Sequence, residues 1–139
     1  MSAYIARSIE EAKQVYEHDL QTNIDTVEWT DDSTTLDCKV LRNSQLGTYC
    51  GYVKLLQTLQ PSEILDLVDA VKQSVHGGIT YCDGSEIGFD CAHYGDYSPS
   101  RPQLRVWTLE AVKNQVKSLA LAIHRATRTP APRHACTGS

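Results

Sequence analysis

Apolar residues recur at helical spacing in three stretches of the chain and alternate with polar ones in four shorter runs. In the first helical stretch Ile9, Ala12, Val15 or Tyr16, and Leu20 share a stripe, predicting a helix over 9–20. Ser8-Ile9-Glu10-Glu11 ahead of it has the form of a capping box, with Ser8 and Glu11 each bonding the other's amide. In the second, Ile64, Leu65, Val68, Val71 and Val75 predict a helix opening at Pro61, with Ser62 as N-cap. It should end near Gln73, ahead of Gly77-Gly78. In the third, Leu109, Val112, Val116, Leu119 and Ile123 predict the longest helix, 109–126, capped by Thr108.

The alternating runs read as strands. Over 35–41, Leu36, Cys38 and Val40 alternate with Asp37 and Lys39. Over 49–56, Gly51, Val53 and Leu55 alternate with Tyr52 and Lys54. A turn at Asn43–Gly47 between them makes an antiparallel pair with one face inward. The polar segment 21–34 is a loop with room for a short strand at Thr26–Trp29. The order α-β-β-α-β-β-α predicts an α+β fold, an antiparallel sheet of about four strands with three helices packed on it. One domain should span 1–127, with a flexible tail over 128–139, where two prolines interrupt any apolar period.

The fourth run, Ile87-Phe89-Cys91, should pair with the segment holding Val75, Ile79 and Tyr81. A three-residue turn, Asp83-Gly84-Ser85, sets Cys82 opposite Glu86 and Tyr81 opposite Ile87, so that both apolar sets share one face. The other face then gathers His76, Gly78, Gly88 and Asp90. His93-Tyr94-Gly95-Asp96 turns sharply beyond it, with Gly95 at positive φ, and returns His93 and Asp96 toward Asp90.

Two imidazoles and two carboxylates near one point leave three readings open. Asp90 can lock the turn by accepting from the His93 ring or the Gly77-Gly78 amides, a structural role. The group can bind a polar ligand such as a nucleotide through His76, Gly77, Gly78, Asp90, His93 and Asp96. Or Asp90 and His93 can ligate a divalent metal, with His76 as general acid or base. The spacing is not a standard zinc pattern, so no cofactor is demanded and a divalent metal stays an alternative. His76, Asp90 and His93 are therefore the catalytic candidates if the chain is an enzyme, toward which the sequence does not lean. Cys91 faces inward and reads as core. No serine has a base and orienting partner nearby, and there is no Walker motif.

Charge alters the list of partners. The net charge is −4, which disfavours non-specific binding to nucleic acid. Asp25, Glu28, Asp31 and Asp32 surround an isolated Trp29, which reads either as a solvated connection or as an acidic docking surface with an aromatic anchor. No apolar stretch approaches membrane-spanning length, and the N-terminus lacks a signal-peptide core. Five cysteines without a CxxC pair suit reduced thiols in a cytosol.

His76-Gly77-Gly78-Ile79-Thr80-Tyr81 and Ile87-Gly88-Phe89-Asp90-Cys91-Ala92-His93-Tyr94-Gly95-Asp96 resemble a paired motif, HGG-x-T-(F/Y) then GFD-x-AH-x-GD. The motif marks a group of small uncharacterised proteins of phages and prophages. Tyr49-Cys50-Gly51-Tyr52-Val53 is similar to their (C/N)-GYV strand, and the likeness spans 49–123. This chain has a much shorter turn and lacks the tryptophan pair that often precedes the second piece. The resemblance implies a phage-encoded accessory protein in the cytoplasm of an infected or lysogenic bacterium. By analogy with anti-CRISPR proteins, it implies an anti-defence inhibitor that binds a host defence protein complex. The alternative is a protein directed at a nucleotide signal, either a sponge or a metal-dependent phosphodiesterase built on His76, Asp90, His93 and Asp96.

Overall fold

The computed structural model describes residues 2–23 and 25–128. Its elements are β1 (Tyr4–Ile5), α1 (Ile9–Thr22), β2 (Thr26–Thr30), β3 (Asp37–Arg42), β4 (Tyr49–Lys54) and α2 (Pro61–Val71). A short 3-10 turn (Lys72–Ser74), β5 (Tyr81–Cys82), β6 (Glu86–Asp90), β7 (Arg105–Val106) and α3 (Leu109–Arg128) follow. The α+β class stands. The main sheet has five antiparallel strands in the order β2-β3-β4-β6-β5, and β1 pairs with β7 in a separate two-stranded sheet. Arg128 closes α3 rather than opening a tail, and residues 129–139, where the tail was expected, lie outside the described residues.

The core forms where alternation meets helical periodicity. Cys38, Val40, Gly51, Val53, Ile87 and Phe89 point to one face of the sheet, against Val112, Val116, Leu119 and Ile123 of α3 and Ile64, Leu67 and Val71 of α2. A fully buried aliphatic side chain contributes roughly 1.5–3 kcal/mol, so this layer dominates stability. Gly51 lets α3 sit directly on β4: a Cβ there would lie 2.6 Å from Val116 and 2.7 Å from Phe89. The turn from β3 to β4 forms as expected, with Gly47 at φ 75.

Three local expectations shift. Ser8 caps α1 by accepting from Glu11 N–H at 3.1 Å, but the Glu11 carboxylate takes the Arg7 amide at 2.6 Å rather than that of Ser8. The buried stripe of α1 is Ala12, Tyr16 and Asp19, leaving Ile9 and Leu20 exposed. This follows because α1 docks beside β7 through Tyr16 on Tyr97, and not across the sheet. α2 takes Pro61 as its first residue, where a fixed φ is favourable, so its N-cap is Gln60 and not Ser62. Glu63 accepts the Gln60 amide at 2.9 Å.

The β5–β6 register differs from the expected three-residue turn. Cys82 pairs with Ile87 and Tyr81 with Gly88. The Asp83 carboxylate accepts the Ser85 and Glu86 amides, both at 2.8 Å, which makes Gly84-Ser85 the tip of a tighter turn. Tyr81 is therefore on the outer face, edge-on to Tyr52 at 5.7 Å, and not in the core. Gly88 is needed beneath this pair, since a Cβ would meet the Tyr52 ring at 2.4 Å. Asp90 lies opposite Cys50 of β4, and β5 is too short to bring Gly78 across from it.

Candidate functional site

The polar residues around the hairpin do meet, but through loops that flank the sheet. After the 3-10 turn the chain passes His76 and then Gly77 and Gly78 at φ 70 and 79. The His76 amide donates to the Gln115 side chain of α3 at 2.7 Å, which fixes the loop to the helix. Gly77 lies against His93, whose Nε2 would be 2.1 Å from an added Cβ. Past β6, Gly95 takes φ 90 as expected, and the turn sends Asp96 inward.

Asp96 is the centre of the arrangement. Its side chain has no exposed surface. One oxygen accepts from Arg105 Nε at 2.6 Å and from the Trp107 indole at 2.9 Å. The other accepts from His76 Nε2 at 2.8 Å and from the His93 amide at 2.9 Å. A carboxylate only accepts, so in this contact the proton lies on His76 Nε2. The His76 ring leans on Trp107 at 4.7 Å and meets the His93 ring edge-on at 5.2 Å. Arg105 also donates to the Tyr94 carbonyl at 2.8 Å, which closes the turn around Gly95.

Asp90 stands apart from this centre. It accepts the Ala92 amide at 3.0 Å and keeps about a third of its side chain exposed. His93 Nε2 comes within 3.4 Å of it, yet the atoms are not aligned as a hydrogen bond, and that nitrogen is buried without a partner. The contact is thus an ion pair only when His93 is protonated. The structure joins His76, His93 and Asp96 tightly, and attaches Asp90 at the margin. Gly77 and Gly78 shape the loop, and their amides do not bond Asp90.

This donor set is poorly suited to a metal. Asp96 spends its lone pairs on four donors, and His93 Nε2 is covered by Gly77. Among the described residues no group of three or more His, Cys, Asp or Glu is arranged to hold a metal ion. A cavity of about 450 Å³ nevertheless opens beside His76, Arg105, Trp107, Gln115 and Ser74, with Ala3 of the N-terminal segment on its rim. Cys91 is buried as expected, and burial followed by the nearby Asp96 charge pushes its thiol well above the ordinary value.

Arg105, Trp107 and Gln115 were not singled out from the sequence. The signal available was Arg-x-Trp, which on a strand places both side chains on one side, where a buried indole requires an acceptor. A second buried carboxylate, Asp19, was also missed. It accepts from Tyr49, Asn23, Arg42 and the first amide of α3, Leu109 N–H at 3.1 Å. Burial, with Asp19 beside it, pushes the Tyr49 hydroxyl far up.

The acidic docking set separates. Thr26–Thr30 forms a strand, so the segment is more than a connection. Asp31 is buried, a correction to its place on a docking surface, and accepts from Thr34 and Ser33 and from Lys117 of α3. Burial raises its pKa, but these hydrogen bonds outweigh burial and hold the carboxyl down at about 2. Asp25 lies 3.5 Å from Arg42 Nε. Trp29 is half-buried beneath Lys113, whose ammonium sits 5.4 Å from the ring. Glu28 and Asp32 remain exposed.

Comparison of the chain with protein-family models, curated proteins and solved structures returns no match. No helix among the described residues is long and apolar enough to cross a membrane.

Proposed function

We propose that the chain is a phage-encoded accessory protein that acts by binding a host defence protein complex, in the manner of an anti-CRISPR inhibitor, in the host cytoplasm. The single observation that supports binding over catalysis is the outer face of the sheet, which no helix among the described residues covers. α2 and α3 pack on one face only, while α1 sits beside β7. The outer face carries Tyr81 against Tyr52, Lys39 over the Tyr52 ring at 5.0 Å, and Lys54, Asp37 and Glu86 around them. Outward-facing tyrosines ringed by polar side chains match the aromatic centre and polar rim of protein interfaces. The paired glycine and histidine motif supplies the phage context. Purified CRISPR effector complexes offered to the immobilised chain at low ionic strength test this reading. At least one should be retained, and Tyr81→Ala should weaken retention roughly tenfold. Failure of every complex to be retained at low salt would overturn it.

A second reading rests on the cavity beside His76. Arg105, His76 and Trp107 are the groups a nucleotide signal would use, for phosphate and for base. A cyclic nucleotide that binds there must raise the melting temperature. No shift with any of a panel of cyclic nucleotides removes the sponge. The phosphodiesterase version further requires hydrolysis that a chelator abolishes.

A further inference from the structure

We infer that the free edge of β2 is a strand-addition site for an extended, basic segment of a protein partner. This rests on the binding reading above and names how the partner is held.

The two edges of the sheet are unequal. β5 offers two residues, whereas β2 offers five, Thr26–Thr30, paired on one side only with β3. The hydrogen-bonded positions follow from the ends of the ladder. Asp31 N–H donates to Leu36 at 2.9 Å, and Arg42 N–H donates to Asp25 at 2.8 Å. Stepping by two from those pairs, Val27 and Trp29 bond β3, while Thr26, Glu28 and Thr30 turn their amides and carbonyls outward. These three residues are exposed, and among the described residues no hydrogen bond reaches the outward groups. Thr-Val-Glu-Trp-Thr has no proline or bulge to blunt the edge, and the charge at its centre, Glu28, guards it only against a like-charged strand. Val27 and Trp29 meanwhile pack on the core, so the strand is anchored while its edge stays open.

Charge selects the occupant. Glu28 lies across from Lys39, but Lys39 is drawn the other way, 4.0 Å from Glu86 and over Tyr52. Glu28 has no ion pair among the described residues, and exposed Asp32 lies just beyond the strand. A neighbouring strand that sets Lys or Arg beside Glu28 gains a favourable cross-strand pair. A second copy does not suit this edge. Its full-length antiparallel pairing through β2 would oppose Glu28 with Glu28, and like charges directly opposite are destabilising. Addition of a strand uses main-chain bonds for affinity and the side-chain pair for choice.

The test uses two capped, fluorescein-labelled heptapeptides of alternating Thr and Val, one with Lys at its centre and one with Glu. The Lys peptide should bind roughly tenfold more tightly by anisotropy, and Glu28→Lys should reverse the order. Binding should slow amide exchange at Glu28 and Thr30, and N-methylation of the peptide should abolish it. Glu28→Pro deletes an amide that points away from β3, so it should remove binding while the melting temperature stays close to wild type. Equal binding of both peptides, or binding indifferent to N-methylation, overturns the site. So does a dimer of the chain that Glu28→Pro dissolves, because the occupant would then be a second copy. A defence complex retained equally by wild type and Glu28→Pro sinks the edge site but leaves the binding reading. Peptide binding without retention of any complex does the reverse.

Discussion

Asp96 has no exposed surface and accepts four hydrogen bonds, two at each oxygen, whereas Asp90, earlier in the same segment, stays about one third exposed and accepts one. Both were candidates for the same site. The difference teaches that proximity to imidazoles does not define a working carboxylate. A buried acceptor whose lone pairs are all used holds structure together, because removing it strands every donor at once. A margin carboxylate with one backbone donor can exchange that bond for water.

The sharpest way to break this comparison is Asp96→Ala, which would leave Arg105, the Trp107 indole, His76 and the His93 amide without their acceptor. Urea denaturation should show a loss of about 3–5 kcal/mol. A loss under about 1 kcal/mol would mean that Asp96 is no keystone. Next comes Gly77→Ala, which places a methyl 2.1 Å from the His93 ring at a backbone φ of 70. Strain and overpacking together should cost about 2–4 kcal/mol in the same assay. A neutral outcome would show that the His93 side of the site is loose.

Asp31 adds a third case, a buried carboxylate held by Thr34, Ser33 and Lys117. Its carboxyl is held at about 2 against an ordinary 3.8. The folded value is the lower one, so its contribution is present above about pH 4 and is lost as pH falls toward 2. The difference corresponds to roughly 2 kcal/mol. Stability measured from pH 7 down to pH 2 should fall less steeply in Asp31→Asn than in wild type, and parallel curves would refute the assignment. The smallest effect belongs to Asp90→Asn. The amide oxygen still accepts the Ala92 N–H, so the cost should stay within about 0.5 kcal/mol. A loss comparable to that of Asp96→Ala would erase the contrast.

Some of this was legible along the chain. The α3 stripe and the alternation of β3 and β4 were clear because each position there has one task, inward or outward. Tyr81 misled because tyrosine serves either side of a sheet: counting it as core forced a three-residue turn, while Asp83 was already building a shorter one from its own carboxylate. α1 misled because its Ala12 and Tyr16 pack on Tyr97 and Val106, and the next buried position on that stripe is Asp19, which accepts from Tyr49 and Leu109, while Leu20 is exposed. The convergence of His76, His93 and Asp96 was foreseeable from the tight turns at Gly77 and Gly95, but its route was not. Gln115 lies 39 residues from His76, and Arg105 and Trp107 reach back to Asp96 only through the turn at Gly95 and the loop before β7, which no periodicity marks.

Three consecutive residues of α3 do separate jobs: Gln115 holds the His76 loop, Val116 rests over Gly51, and Lys117 reaches Asp31 beside β2. The helix can descend that far only because position 51 carries a hydrogen where other residues carry carbon. That one absent methyl sets the height of a single helical turn that holds the histidine loop on one side and Asp31, next to the open strand, on another. Adding it would lift both at once, so two regions with no contact of their own share a common mounting.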